Sequence, residues 1–344
     1  MPAILSKGMV FGRFGPDQKT QLVTALQAEE LVVGMCGDGA NDCGALKAAH
    51  VGISLSEADA SVAAPFTSQE QNIRCVKLLA LEGRCALSTS FAIFKYMALY
   101  SLIQFFSILI LYNMYSILGN NQFLYIDLVL TTLLALSLGR AGPGGALTAR
   151  SPPVSLVAAP SLLPLCAQVA LVLAAQLAAV YLLYEQEWFK PVEGGPDVEQ
   201  VLCWENTVVF IVTSFQYLIM ACVYAKGWPF RQPFCANYSM VITLVTQAVF
   251  VVVLLLCPWE WLAQFMEVEV MRTTDSEQTM FRVYLLLIPA LHLILAIAIE
   301  ATLSDTEKFA RLGRVLRRRC GEKEEAAGDA ARPLWPARDV THVC

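Results

Sequence analysis

The chain has 344 residues, of which 56% are hydrophobic and only 15% charged, and its mean hydropathy is +0.55. That composition excludes a disordered chain and is too apolar for an ordinary soluble domain. The net charge of -5 is spread along the sequence without a basic face fit to track a phosphate backbone, so nucleic acid is not an expected partner.

Met1 to Gly15 lacks the continuous apolar core of a signal peptide, which predicts a start on the cytosolic side. The cysteines show neither paired spacing nor a His-Cys ligand pattern, as expected of free thiols. Residues 1 to about 88 read as soluble α/β. Leu31 to Cys36 is a short buried-strand run, followed by a Gly-Asp-Gly turn, a helical Asp42 to Ala49, a second strand Val51 to Leu55 and another helical stretch after Ser56. Strands alternating with helices imply a parallel sheet. Two strands are too few to close a doubly wound domain, so the expectation is half a domain whose first half is missing.

From Phe91 onward six apolar runs are long enough to cross a bilayer: Phe91 to Tyr112, Gln122 to Leu138, Leu162 to Tyr184, Thr207 to Ala225, Val241 to Cys257 and Val283 to Ile299. An even number returns the chain to its starting side. The loops support this, because cytosolic connections carry the positive charge. Arg140, Arg150, Lys226 and Arg231 fall in one set of connections, and Lys308, Arg311, Arg314 and Arg317 to Arg319 in the tail. The opposite loops are acidic, with Glu187, Glu193, Asp197 and Glu199 in one and Glu260, Glu267, Glu269, Asp275 and Glu277 in another. Both termini are therefore expected in the cytosol. Asn237-Tyr238-Ser239 matches a glycosylation acceptor but falls in a cytosolic connection, so it is expected to be unmodified.

Gly37-Asp38-Gly39-Ala40-Asn41-Asp42 sits where a buried strand ends and a helix begins, the place where ligands gather in open α/β sheets. Its two carboxylates suit Mg²⁺, which takes one or two carboxylates and keeps water or phosphate oxygens. The plain alternative is a strand-to-helix turn with Asp42 as a helix cap.

The longer run Gly37 to Leu55, with Cys43-Gly44-Ala45-Leu46-Lys47-Ala48-Ala49-His50-Val51-Gly52 at its centre, closely resembles the hinge signature at the end of the phosphorylation domain of P-type ATPases. Pro16-Asp17-Gln18-Lys19 resembles the Pro-x-x-Lys segment that precedes it there. The resemblance implies that Lys19 neutralises phosphoryl charge, that Asp38 holds Mg²⁺, and that Asn41 and Asp42 help position the phosphoryl group and metal, with Asp42 a second metal ligand. Pro65-Phe66-Thr67-Ser68, Glu82-Gly83-Arg84-Cys85, Phe94 to Ser101, Glu205 to Phe210, Ser214 to Tyr217 and Lys226-Gly227-Trp228-Pro229-Phe230-Arg231 resemble the type V branch that moves polyamines, most closely its late-endosomal and lysosomal members. The fold class so implied is an α-helical polytopic membrane protein with six transmembrane helices, preceded by a partial α/β haloacid-dehalogenase-like phosphorylation domain. The expected organisation is residues 1–88 for that domain, 89–302 for the membrane domain and 303–344 for a basic, disordered cytosolic tail. No Asp-Lys-Thr-Gly-Thr occurs in the chain. The phosphoryl-accepting aspartate, the remaining pump domains and the earlier spans are thus expected outside it, and the chain alone is expected not to hydrolyse ATP. His50 stands where many pumps have aspartate; its plain reading is a surface or hinge-packing histidine.

In the membrane part, Asp127 lies inside the second run, where a carboxylate costs about 2.5–3.5 kcal/mol and normally faces a cavity or partner. Tyr100 and Gln104, four apart, share a helical face. At ~1.5 Å per residue, Gln104 lies roughly 12 Å from the end of its run and Asp127 about 7.5 Å from the start of the next, depths compatible with one site. One charge, an amide, a phenol and neighbouring aromatics such as Phe123 and Tyr125 suit an elongated amine, which uses cation–π contacts, better than a hard metal ion. The resemblance likewise places substrate contacts at Tyr100, Gln104, Phe123 and Asp127. Alternatively, Asp127 pairs with a neighbouring helix. Gln168, Gln176, Gln216 and Gln247 are expected to bond between helices, His292 to be a satisfied buried histidine beside Pro289, and Lys95 to snorkel or bond within the hinge. The Arg317 to Arg319 cluster is either a positive-inside anchor or a site for anionic lipid.

Three functions remain open from sequence: part of a polyamine pump, part of a divalent metal-cation pump, or a truncated, non-catalytic membrane interaction module.

Overall fold

The computed structural model describes residues 5, 8–57, 61–152, 155–157, 159–191, 200–257, 259–269 and 276–303. The basic tail with Arg317 to Arg319, and Glu193, Asp197, Glu199 and Asp275 of the acidic loops, lie outside the described residues. The chain divides into two units between Ala80 and Leu81.

In the first unit, helix α1 (Pro16–Ala28) opens with Pro16 in its first turn, where a missing N–H costs nothing. Gln18 Oε1 accepts from Gly15 N at 2.9 Å and secures that end. Strand β1 (Gly34–Gly37) leads through a 3₁₀ turn (Ala40–Asp42) into α2 (Cys43–Ala48) and then β2 (Val51–Leu55). β1 and β2 pair in parallel, with Gly34 opposite Val51 and Gly37 opposite Ser54. A third parallel strand, β3 (Phe66–Ser68), pairs Ile53 with Phe66. The helical stretch expected after Ser56 is absent among the described residues, where this strand and turns precede the next helix. The three-residue strand, with Pro before it, was too short for a periodicity to register. The first strand is also displaced: Leu31 to Val33 lie outside the ladder, although Val33 O accepts from His50 N at 3.0 Å. Val23, Ala45, Leu46, Ile53 and Ala64 form the buried interior.

The second unit is built of helices. α3 (Arg74–Asn113) is 40 residues long and carries the first span. α4 (Asn120–Leu124), a π-helical segment (Tyr125–Thr131) and α5 (Thr132–Gly139) together make the second. α6 (Ala159–Tyr184), α7 (Trp204–Tyr224), α8 (Tyr238–Leu256), the short α9 (Glu260–Phe265) and α10 (Ser276–Leu303) complete it. Six helices are thus long and apolar enough to cross a membrane, and each contains the core of an expected run. The fourth, α7, is the hub. Of its most apolar window 89% is buried, against 22–44% in the other five. It packs against α6, α8, α10, α5 and the π segment.

Polar side chains tie these helices to one another, as expected where the hydrophobic effect does not hold helices together. Gln176 Nε2 donates to Gln216 Oε1 at 2.9 Å and Gln216 Nε2 to Val172 O at 3.0 Å. Gln168 Nε2 reaches Ala296 O at 2.8 Å, and Gln247 Oε1 accepts from Tyr125 at 2.8 Å. All four glutamines therefore bond between helices. His292 departs from expectation: it is 2% exposed, yet neither ring nitrogen has a partner among the described residues.

Candidate functional site

In the first unit, the carboxyl end of β1 delivers Asp38 to an exposed position, and Asn41 is exposed on the 3₁₀ turn. Asp42 is 6% exposed. It occupies the cap position of α2 but makes no cap hydrogen bond. Its Oδ1 instead accepts from Lys19 Nζ at 2.6 Å, across from α1. The pairing explains why a carboxylate is buried at a strand end, since an unpaired one would be strongly disfavoured there. It also depends on Gly37, because a Cβ on that residue would stand 2.6 Å from Asp42 Oδ2. The glycine leaves room for the carboxylate to fold back over the strand end.

Two groups flank β1, Cys36 by the turn at its carboxyl end and His50 at its amino end. Cys36, at the end of β1, has its thiol pushed up to about 11 by burial first, then by Cys75 and Asp38. His50 Nδ1 accepts from Val33 N at 3.1 Å, which fixes an exposed histidine to the chain before β1 and matches its plain packing role.

The oxygen-only donors of the turn fit Mg²⁺. Asp38 is open to solvent, and among the described residues no group of three or more His, Cys, Asp or Glu side chains forms a metal cage. An ion held by one or two carboxylates, with its other positions taken by water or phosphate oxygens, is the arrangement magnesium favours.

In the second unit, Tyr100 on α3 donates its phenolic hydrogen to Asp127 Oδ1 at 2.5 Å. Asp127 is exposed on the π segment, and Thr132 Oγ1 donates to its backbone carbonyl at 2.7 Å. A π segment widens the helix and is frequent at functional sites; hydropathy carries no sign of it. Among the described residues Asp127 has no cationic partner. Gln104, one turn beyond Tyr100, and Phe123, one turn before the carboxylate, are both half-buried.

Tyr125 does not join them. Two residues from Asp127 it points to the other side of the helix, is 7% exposed, bonds Gln247 and packs on Phe210 and Phe250. Tyr217 of α7 has its ring 5.7 Å from that of Tyr100. No spacing in the sequence links Tyr217 to Tyr100, so only the packing of α3 on α7 reveals the pair. Lys95 Nζ lies 5.9 Å over the Tyr224 ring.

Comparison with known proteins finds relatives of this chain among transport ATPases. Polyamine-transporting ATPase 13A2 of Homo sapiens is 50% identical over 261 residues, which cover 75% of this chain and 22% of that protein. Polyamine-transporting ATPase 13A3 of Mus musculus is 40% identical over 319 residues, 87% of this chain and 26% of that protein. Vacuolar cation-transporting ATPase YPK9 of Saccharomyces cerevisiae is 46% identical over 242 residues, 70% and 16% of the respective lengths.

The chain is homologous to type V P-type ATPases.

No family model matches it. It spans about a quarter or less of the length of these curated relatives, 16–26% in the three comparisons. Its six apolar helices and small parallel sheet agree with a multi-pass membrane protein that carries part of a P-type ATPase.

Proposed function

We propose that this chain is the carboxyl-terminal portion of an ATP-driven pump that moves polyamines from the lumen of a late endosome or lysosome to the cytosol. In this reading residues 1–88 are the second half of the phosphorylation domain, residues 89–302 the last six spans and residues 303–344 the cytosolic tail, and both termini are cytosolic. The observation that carries the reading is Asp127. It is a carboxylate at span depth, exposed on a π-helical segment and held by a phenol rather than by a cation.

A carboxylate placed there is costly and calls for a charged ligand. One carboxylate among phenols and an amide gives an elongated amine hydrogen bonds, charge and ring faces. A hard divalent ion wants about six to eight oxygens, which the described side chains around Asp127 do not supply. Tyr100 holds the carboxylate in place, while Gln104 and Phe123 line its approach on the two adjoining helices.

In the first unit, Asp38 would hold Mg²⁺, with Asp42 beside it. The bound ion would neutralise charge on the phosphoryl oxygens of ATP and of the aspartyl phosphate. Lys19 places a positive charge at the same strand end, and Asp42 and Gly37 fix its position. Exposed Asn41 offers an amide to a phosphoryl oxygen. Phosphoryl transfer needs this kind of positioning and charge stabilisation more than covalent chemistry. The basic tail supplies a positive-inside cytosolic anchor.

The test is Asp127→Asn in the intact pump. The expected outcome is loss of spermine-stimulated ATP hydrolysis with phosphoenzyme formation from ATP retained. Unchanged stimulation by spermine would remove Asp127 from the substrate site, and stimulation by divalent ions instead would favour a metal pump.

A further inference from the structure

We propose that Tyr217 is a substrate-contacting residue that determines affinity for the ammonium group bound at Asp127, an inference that rests on the polyamine reading above. Tyr217 lies on the hub helix α7 and is 1% exposed, and its hydroxyl has no partner among the described residues. Buried polar atoms are nearly always bonded, so an orphaned phenol in a packed helix core asks for an explanation.

The other hydroxyls of α7 narrow it. Thr207, Thr213 and Ser214 each donate to a carbonyl of the preceding turn, at 2.9, 2.8 and 2.7 Å. That is how such side chains normally settle in a membrane helix. Only Tyr217 and Tyr224 remain without a hydroxyl partner among the described residues of this helix. They are seven residues apart, hence on one face. The Tyr224 ring already faces an ammonium group, that of Lys95, at 5.9 Å.

The Tyr217 ring sits against Tyr100 at 5.7 Å, tilted by 46°. Tyr100 in turn holds Asp127. The two contacts, Lys95 with Tyr224 and Tyr100 with Tyr217, run in opposite order along α3 and α7, as an antiparallel seam requires. Along that seam the two contacts are separated by roughly 7.5–10.5 Å of axial rise, taking ~1.5 Å per residue. An amine entering at Asp127 therefore meets a second tyrosine of the same face. Its N–H can donate to the free phenolic oxygen of Tyr217, and its charge can lie against the ring.

The experiment uses the intact pump, with spermine as the probe. Tyr217→Phe removes only the hydroxyl, and Tyr217→Leu removes the ring as well. Spermine dependence of ATP hydrolysis is read as half-saturating concentration and maximal rate, and phosphoenzyme formation without spermine reports on folding. Tyr217→Phe is expected to raise the half-saturating concentration about ten- to a hundredfold, the range of one hydrogen bond to a charged group, with the maximal rate little changed. Tyr217→Leu is expected to raise it further, with Phe restoring the part due to the ring. Were Leu to lose phosphoenzyme, the Phe variant alone decides. Half-saturation within twofold of the parent in the Phe variant, with Asp127→Asn inactive toward spermine, overturns the role of Tyr217 and leaves the polyamine reading standing. Spermine stimulation intact in Asp127→Asn overturns that reading, and this inference with it.

Discussion

Tyr100 and Asp127, on the first and second spans, are joined by a 2.5 Å hydrogen bond in which the phenol donates to the carboxylate. The bond fixes the orientation of a carboxylate that stands exposed at span depth, and it gives the proposed site its geometry. Hydrogen bonds to charged groups contribute about 1.5–3 kcal/mol, so the Tyr100→Phe variant of the intact pump should weaken spermine binding about tenfold or more. Half-saturation of ATP hydrolysis measures this. An unchanged value would mean that the bond only settles the empty site.

Gly37 and Asp42 supply a second test. A Cβ at Gly37 would come within 2.6 Å of the Asp42 carboxylate, so Gly37→Ala should displace Asp42 from Lys19. The expected result is loss of phosphoenzyme comparable to that of Asp42→Asn, read as radiolabel incorporated from ATP. Full labelling of Gly37→Ala would show that the Lys19–Asp42 contact is dispensable.

Asn237 is engaged through both ends of its amide. Its Oδ1 accepts from Met240 N at 3.2 Å to cap α8, and its Nδ2 donates to Ser137 O at 2.9 Å. A glycan on that nitrogen would crowd this half-buried contact. Glycosidase digestion should therefore leave the mobility of the protein unchanged. Asn237→Ala should cost ~1 kcal/mol through the lost cap, seen as a lowered unfolding temperature in detergent.

The thiol of Cys36, raised from 9.0 to about 11, sets a pH dependence. The fold favours the protonated thiol. Its contribution to stability is whole below the unfolded value of 9.0 and is lost as pH rises through about 11. Alkylation of Cys36 by iodoacetamide should accordingly be slow at neutral pH and show a midpoint near 11. A midpoint at the ordinary thiol value would contradict the burial and the influence of Cys75 and Asp38.

His292 is buried without a partner for either ring nitrogen among the described residues. An apolar side chain there removes an uncompensated desolvation cost. His292→Leu should leave the unfolding temperature unchanged or raise it, and a fall of several degrees would show that the imidazole is bonded in the membrane.

Much of this was legible in the amino-acid order. The six spans could be located because a membrane helix must satisfy its backbone internally and present about 20 apolar residues to lipid. The interhelical glutamines could be named because an amide inside such a run has few other ways to be satisfied. The turn from Gly37 to Asp42 stood out by its residue types alone. What failed in the reading failed for definable causes. β3 is three residues long, below the length at which alternation shows. Tyr125 is two residues from Asp127 in sequence, yet on the helix it turns to the other side. His292 was expected to be satisfied because buried histidines usually are.

The sequence by itself determined which segments enter the membrane, where the oxygen-rich turn lies and which carboxylate stands at span depth, since these follow from local composition and period. Only the tertiary structure decided what those groups touch. It placed Asp42 on Lys19, Asp127 on Tyr100, and the orphaned phenol of Tyr217 against that same tyrosine. Such contacts join residues on different helices. Their partners are set by how helix faces pack, which no local pattern along the chain encodes.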